Sequence, residues 1–262
     1  MVNFEMKSHY GYEDLLKVIH ILRSPEGCPW DKVQTHQSIR RDFLEETYEA
    51  VEAIDLDDVA MLREELGDVL LQVAFHADIE ADAGHFTMAD VCDEVTKKMI
   101  YRHPHVFGSV EANTTEEVLV NWEELKRKEK HQETAASTLD AVARTLPQLW
   151  RAEKVMKKAA KAGFEWPNIQ GALDKLDEEV GELHQAIEEN SNISEELGDV
   201  LFAAVKVARF TGVDPEVALN DTCEKFIRRF QKMEEAAKAG GHELKELSLD
   251  EMTALWNQAK HS

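Results

Sequence analysis

Cysteine is scarce: Cys28, Cys92 and Cys223 lie far apart in 262 residues, which leaves neither a Cys-x-x-Cys metal site nor a disulfide framework. Six prolines and 12 glycines supply little of the turn chemistry that a many-stranded sheet needs. No apolar run approaches the ~20 residues of a membrane span. The first ten residues mix Glu, Lys, Ser and His and lack the apolar core of a secretion signal. The sequence therefore predicts a cytoplasmic protein with no membrane contact. Positive charge is also short, since 30 Lys+Arg against 52 Asp+Glu give a net charge of −22. Such a chain repels the phosphate backbone, so no nucleic-acid partner is expected. An anionic ligand is expected to arrive with a divalent cation. Against these absences, 43% hydrophobic and 31% charged residues indicate a folded globular chain of one large or two ordinary domains.

The sequence repeats itself. Arg63-Glu64-Glu65-Leu66-Gly67-Asp68-Val69-Leu70 returns as Ser194-Glu195-Glu196-Leu197-Gly198-Asp199-Val200-Leu201, and Leu44-Glu45-Glu46-Thr47-Tyr48-Glu49 returns as Asp177-Glu178-Glu179-Val180-Gly181-Glu182. Lys98 and Arg102 answer Lys225 and Arg229, and Trp122 with Lys126 answers Trp256 with Lys260. Blocks kept in one order at nearly one offset mark a tandem duplication. The expected domains are 1–130 and 145–262, joined by a polar linker over 131–144.

Each copy has a helical period. Leu173, Leu176, Val180, Leu183 and Ile187 step by three or four, as do Leu197, Val200, Leu201, Ala204 and Ala208. Asn190-Ser191-Asn192 separates the two runs, which predicts a helical hairpin with a short turn. Asp214-Pro215 reads as an N-cap with proline at the first helical position, and Thr87-Met88-Ala89-Asp90 as a weaker capping box. His103 and His105 flank Pro104, where a helix should end. No segment reads as a strand. The predicted class is all-α, with four or five helices per repeat.

Residues three apart share a helix face, so Glu179 with Glu182, and Glu196 with Asp199, form two acidic pairs. If the helices fold back antiparallel the pairs come level, and four carboxylates crowd one volume. Such a group repels itself or takes up protons unless a hard cation joins it. The same set recurs as Glu46, Glu49, Glu65 and Asp68. A ferritin-like di-iron centre would need Glu-x-x-His motifs, and no Glu in the chain is followed three residues later by His. Oxygen-only ligation favours Mg²⁺, or Mn²⁺, over iron. Lys225 and Arg229, four apart, can clamp phosphates, and Trp256 can stack on a base. Lys260, one turn beyond Trp256, is a further phosphate candidate.

The Glu-Glu-x-x-Glu and Glu-x-x-Asp segments at 178–182 and 196–199, with Gly27-Cys28-Pro29-Trp30-Asp31 and Arg102-His103-Pro104-His105-Val106-Phe107-Gly108, resemble the MazG family of nucleoside triphosphate pyrophosphohydrolases. The resemblance runs over nearly the whole chain. It implies an all-α NTP pyrophosphatase fold, a homodimer, and Mg²⁺-dependent hydrolysis of (deoxy)nucleoside triphosphates to monophosphate and pyrophosphate. It implies Glu179, Glu182, Glu196 and Asp199 as metal ligands, Lys225 and Arg229 as phosphate contacts, and Trp256 at the base or ribose end. Lys175, one turn before Glu179, is a further phosphate candidate. Glu178 or Glu179 is the candidate general base. In two-domain members activity is associated with the second repeat, so the first-repeat set of Glu46, Glu49, Glu65, Asp68, Lys98, Arg102, Trp122 and Lys126 ranks second. That repeat departs from the second in having Asp42 where Lys175 would fall. Two other readings stay open: a nucleotide-sensing or partner-docking module without turnover, and a narrower pyrophosphohydrolase for dUTP or a phosphoribosyl nucleotide.

Overall fold

The computed structural model describes residues 4–110, 112, 114–129 and 134–260. Among them every regular element is helical, and none is long and apolar enough to cross a membrane. The chain divides into two compact units, Met1–Lys126 and Arg127–Ser262. The first holds α1 (Tyr12–Arg23), α2 (Arg40–Asp55), α3 (Val59–Asp82), α4 (Met88–Arg102), α5 (Pro104–Phe107) and most of α6 (Thr115–Glu129). The second holds α7 (Ala135–Asp140), α8 (Gln148–Lys161), α9 (Ile169–Glu189), α10 (Ile193–Thr211), α11 (Pro215–Ala239) and α12 (Leu249–Ala259). Setting aside the short α5 and α7, the described residues give five helices to each unit. The stretch expected as linker is not all connector. Residues 131–133 lie outside the described residues, while Thr134 accepts the Ser137 N–H and starts α7, which packs on α8.

Each unit is built on a helical hairpin, α2 with α3 and α9 with α10, against which the preceding helix packs, α1 on α3 and α8 on α10. Both hairpin turns contain residues in the left-handed region: Asp57 at φ 53°, and Asn190 and Asn192 at φ 49° and 50°. Asn and Asp tolerate that conformation better than other side-chain-bearing residues, which is why the polar breaks fold as turns. Asp58 caps α3 by accepting the Ala60 and Met61 N–H groups, and Asp214 caps α11 by accepting those of Glu216 and Val217. Thr87 and Asp90 form a reciprocal capping box at α4. The chain leaves α4 at His103, before Pro104, as the sequence indicated.

In the first unit Ile19, Ile39, Ala74 and Phe75 form the buried core, flanked by Leu15, Leu16, Leu71 and Ile79. In the second, Ala172, Ala186 and Ala203 are buried along the hairpin, and such small side chains let two helices approach closely. The apolar stripe read from the period is only partly covered. Leu173, Val180, Ile187, Leu197 and Leu201 remain exposed, Ile187 by 54% and Leu201 by 52%.

Gly27 and Gly171 are fixed by the closest approaches. A Cβ on Gly27 would stand 2.2 Å from the Ile21 carbonyl oxygen, and one on Gly171 would stand 2.4 Å from the Trp166 ring. The Gly27-Cys28-Pro29-Trp30-Asp31 segment is thus a tight exit from α1, with the Cys28 N–H donating to the Leu22 carbonyl. In an open helix Gly→Ala stabilises by about 1 kcal/mol. At Gly171 the opposite sign is expected, a loss of about 1–3 kcal/mol from overpacking against Trp166. Thermal denaturation of Gly171→Ala checks it; a raised midpoint would contradict the packing described.

Candidate metal and nucleotide site

The α9–α10 hairpin brings Glu179 and Glu182 of one helix against Glu196 of the other. One carboxylate oxygen from each lies within 4.8 Å of the other two. Glu179 is buried, Glu196 half-buried and Glu182 exposed. Asp199 sits one turn beyond Glu196, and no oxygen of it joins the group at that distance. The sequence brought four acids together and the structure brings three. Asp199 lies about 4.5 Å further along the axis on a side chain one methylene shorter than glutamate. In the first unit Glu46, Glu49 and Glu65 form the corresponding trio, and Asp68 is near enough for its charge to raise the Glu46 and Glu65 carboxyls.

Lys175 compensates part of the second trio's charge. Its ammonium donates to Glu178 and to Glu179, each at 2.7 Å, and these two partners push its pKa well above the ordinary lysine value. Glu178 therefore stands beside the trio rather than in it. The Glu182 carboxyl is held above the ordinary glutamate range, first by partial withdrawal from water and then by the Glu179 charge, with Lys175 opposing. The first unit has Asp42 in place of that lysine. There Glu46 is raised by burial, then by Asp68, Glu49 and Glu65, and Glu65 by burial, then by Glu49 and Asp68. Three oxygen donors with uncompensated charge suit a hard divalent cation such as Mg²⁺ or Mn²⁺, which binds carboxylates and keeps some of its waters.

The cations are distributed less evenly. Lys225 and Arg229 lie on α11, which packs against α8, α10 and α12, and neither makes an ion pair among the described residues. Trp256 of α12 rests on Phe226, ring centroids 4.9 Å apart. Lys260 caps the end of α12 and donates to Asn257. In the first unit Lys98 is half-buried on α4, and Trp122 and Lys126 are half-buried on α6. Arg102 is buried, with its guanidinium over the Trp122 ring at 5.5 Å.

Sequence reasoning missed a second network. Glu165, before α9, pairs with Lys206 and Arg209 of α10, and the Lys206 ammonium lies 5.0 Å from the Trp166 ring centre. Burial pulls the Lys206 pKa down. This network ties the entry of α9 to α10, the two helices that carry the trio. Its only trace in the sequence is Lys206, a charge inside the apolar run of α10. The chain His76–His36–Glu80–His85 in the first unit, linked at 2.7, 2.5 and 2.6 Å, was likewise hidden, because its central member His36 lies 40 residues before His76.

The MazG nucleotide pyrophosphohydrolase domain matches residues 34–107 and again 168–233, each span containing one acidic hairpin. The chain is 42% identical over 251 residues to the nucleoside triphosphate pyrophosphohydrolase of Escherichia coli K12, covering 94% of this chain and 95% of that one. It is 41% identical over 249 residues to the nucleoside triphosphate pyrophosphohydrolase/pyrophosphatase MazG of Thermotoga maritima, covering 95% of each. It is also 47% identical over 257 residues to the Bacillus subtilis protein YabN, covering 97% of this chain and 52% of that one.

The raised Glu182 carboxyl fixes the sign of a pH effect. The native state binds this proton more tightly than the unfolded chain, so in the absence of a cation the ionised Glu182 destabilises the fold above its raised pKa. That penalty disappears below the ordinary value of 4.5. Glu182→Gln should therefore raise the thermal midpoint of the cation-free protein at pH 7.5, with the difference closing toward pH 4. Lys175→Met should lower it. Equal midpoints for Glu182→Gln and the parent at pH 7.5 would contradict the electrostatics.

Proposed function

The chain belongs to the MazG family of nucleotide pyrophosphohydrolases, and from that premise we propose that it hydrolyses nucleoside triphosphates, ribo and deoxy, to monophosphate and pyrophosphate at a Mg²⁺-dependent site in its second unit. The observation that carries the reading is the convergence of Glu179, Glu182 and Glu196 within 4.8 Å across the hairpin. In this reading they hold the cation, with Asp199 one turn along α10 completing the ligand set, directly or through water. Once bound, the cation supplies charge withdrawal from the triphosphate and greater acidity for the attacking water.

The chain's own residues do the rest. Glu178 lies outside the trio and pairs with Lys175, and in this reading it accepts the proton of the attacking water. Glu179 is buried and belongs to the trio, which suits a ligand better than a base. With Glu179 engaged by a cation, Lys175 would keep its pairing with Glu178 and would serve as a phosphate contact. Lys225 and Arg229 stabilise charge on the departing pyrophosphate, the arginine through paired N–H donors. Lys260 adds a cation at the far end. The first unit keeps the acidic trio without the lysine partner, and its arginine is turned onto Trp122, which favours the second unit as the site of turnover.

A homodimer accords with the exposed stripe of Leu173, Val180, Ile187, Leu197 and Leu201, an apolar face beside the site that a second copy can cover. Sedimentation should show a dimer, and Leu197→Asp should shift it toward monomer with little change in helical circular dichroism. A monomeric parent would contradict the assembly.

Pyrophosphate release from each (d)NTP, with and without Mg²⁺, tests the activity. Glu196→Ala should reduce it at least about 100-fold while the helical signal stays intact. Glu178→Gln should lower kcat and leave the Mg²⁺ dependence unchanged. Full activity in Glu196→Ala would remove the site assignment. Tight Mg–nucleotide binding without pyrophosphate would favour a sensing module.

A further inference from the structure

The histidine chain of the first unit ties three parts of the fold together. His36 lies in the connector between α1 and α2, His76 and Glu80 lie one turn apart on α3, and His85 lies in the turn between α3 and α4. His36 uses both of its ring nitrogens. Its Nδ1 meets His76 Nδ1 at 2.7 Å, with the ring planes 15° apart, and its Nε2 meets Glu80 Oε1 at 2.5 Å. The other Glu80 oxygen meets His85 Nδ1 at 2.6 Å.

The nitrogen-to-nitrogen contact limits the number of protons. A neutral imidazole has one N–H and one lone pair, whereas an imidazolium has two N–H groups. One hydrogen must lie between the two Nδ1 atoms, so at least one ring is neutral, whichever tautomer it takes. Two imidazolium rings would set their N–H groups head to head. One charge in the pair has a counterpart, because the Glu80 carboxylate accepts from His85 and from His36, and these bonds hold it below the ordinary glutamate range. A second charge has none. Toward His76, α2 presents the Phe43 ring at 5.5 Å. Asp78 and Asp82 of α3 are taken up by His20 and Arg23 of α1, and Asp90 at the start of α4 by Thr87. Burial, and then the His36 charge, pull the His76 pKa below its ordinary 6.5.

We propose that this chain is a pH-sensitive latch: a neutral His76 clips the α1–α2 connector to α3 through His36, and a protonated His76 releases residues 34–38. Ile39, buried in the core at 3% exposure, keeps the start of α2 in place when the clip parts. Opening takes up a proton. The closed form is therefore fully favoured above 6.5 and is lost as pH falls through the lowered His76 value. No member of the latch is a ligand or substrate contact in the nucleotide reading above, so the two stand or fall separately.

The full-length protein, labelled with carbon-13 at histidine Cε1, is titrated by NMR from about pH 8 to pH 5. Amide hydrogen exchange, corrected for its intrinsic rate, is followed over the same range. His76 should titrate below 6.5. The opening constant of residues 34–38 should rise by up to about 10-fold per pH unit over that interval, the slope of one linked proton. His76→Gln keeps a hydrogen-bonding side chain that takes up no proton, and it should flatten the slope. The first two readings need only the parent protein. An ordinary or raised His76 titration, a pH-independent opening constant in the parent, or an unchanged slope in His76→Gln would overturn the proposal. A rise spread equally over α1, α2 and α3 would also overturn it, because that is acid unfolding of the whole unit.

Discussion

The second unit depends on repulsion that is held in place. Three carboxylates are gathered across a helical hairpin at a separation where like charges disfavour joint ionisation. The fold tolerates this because the hairpin is braced on several sides. Alanines let α9 and α10 approach, α8 packs behind α10, and the Glu165–Lys206–Arg209 network pins the entry of α9. Lys175 compensates part of the charge, and the remainder leaves the Glu182 carboxyl raised. A cluster that stabilised itself would have little affinity left for a cation. Strain kept at a functional site and offset elsewhere is a general feature of enzymes.

The two units show what duplication preserves and what drifts. Hairpin, turn length and acidic trio are kept, because together they set one backbone arrangement. The compensating charges differ. The second unit has Lys175 beside the trio, whereas the first has Asp42 and raises two of its three glutamates. The conserved arginine position has opposite surroundings, half-buried without an ion pair among the described residues as Arg229, and buried against an indole as Arg102. That divergence is a physical basis for the unequal roles proposed above; the Lys175–Asp42 difference is legible in the sequence, the surroundings of the two arginines only in the structure.

Much of this was legible beforehand, for identifiable reasons. Helical period, the Asn190–Asn192 break and the i, i+3 acids are local patterns, and the hairpin follows from them. The place of Asp199 was not local. It depends on how the helices cross and on the reach of one side chain, so a level four-acid group became a trio with one outlier. The apolar stripe was legible as a period but not as a burial, since a period cannot tell a face covered within the chain from one left for a partner. Glu165 with Lys206, and Arg102 over Trp122, join residues far apart in sequence or in separate helices, and pattern reading gives them no signal.

The proposed hydrolysis requires a cation held by the carboxylates of the α9–α10 hairpin. Crystals soaked in Mn²⁺ and measured at the manganese absorption edge test it most directly. The account requires an anomalous peak bounded by Glu179, Glu182 and Glu196; nucleotide bound in the second unit with no peak among those oxygens would contradict it.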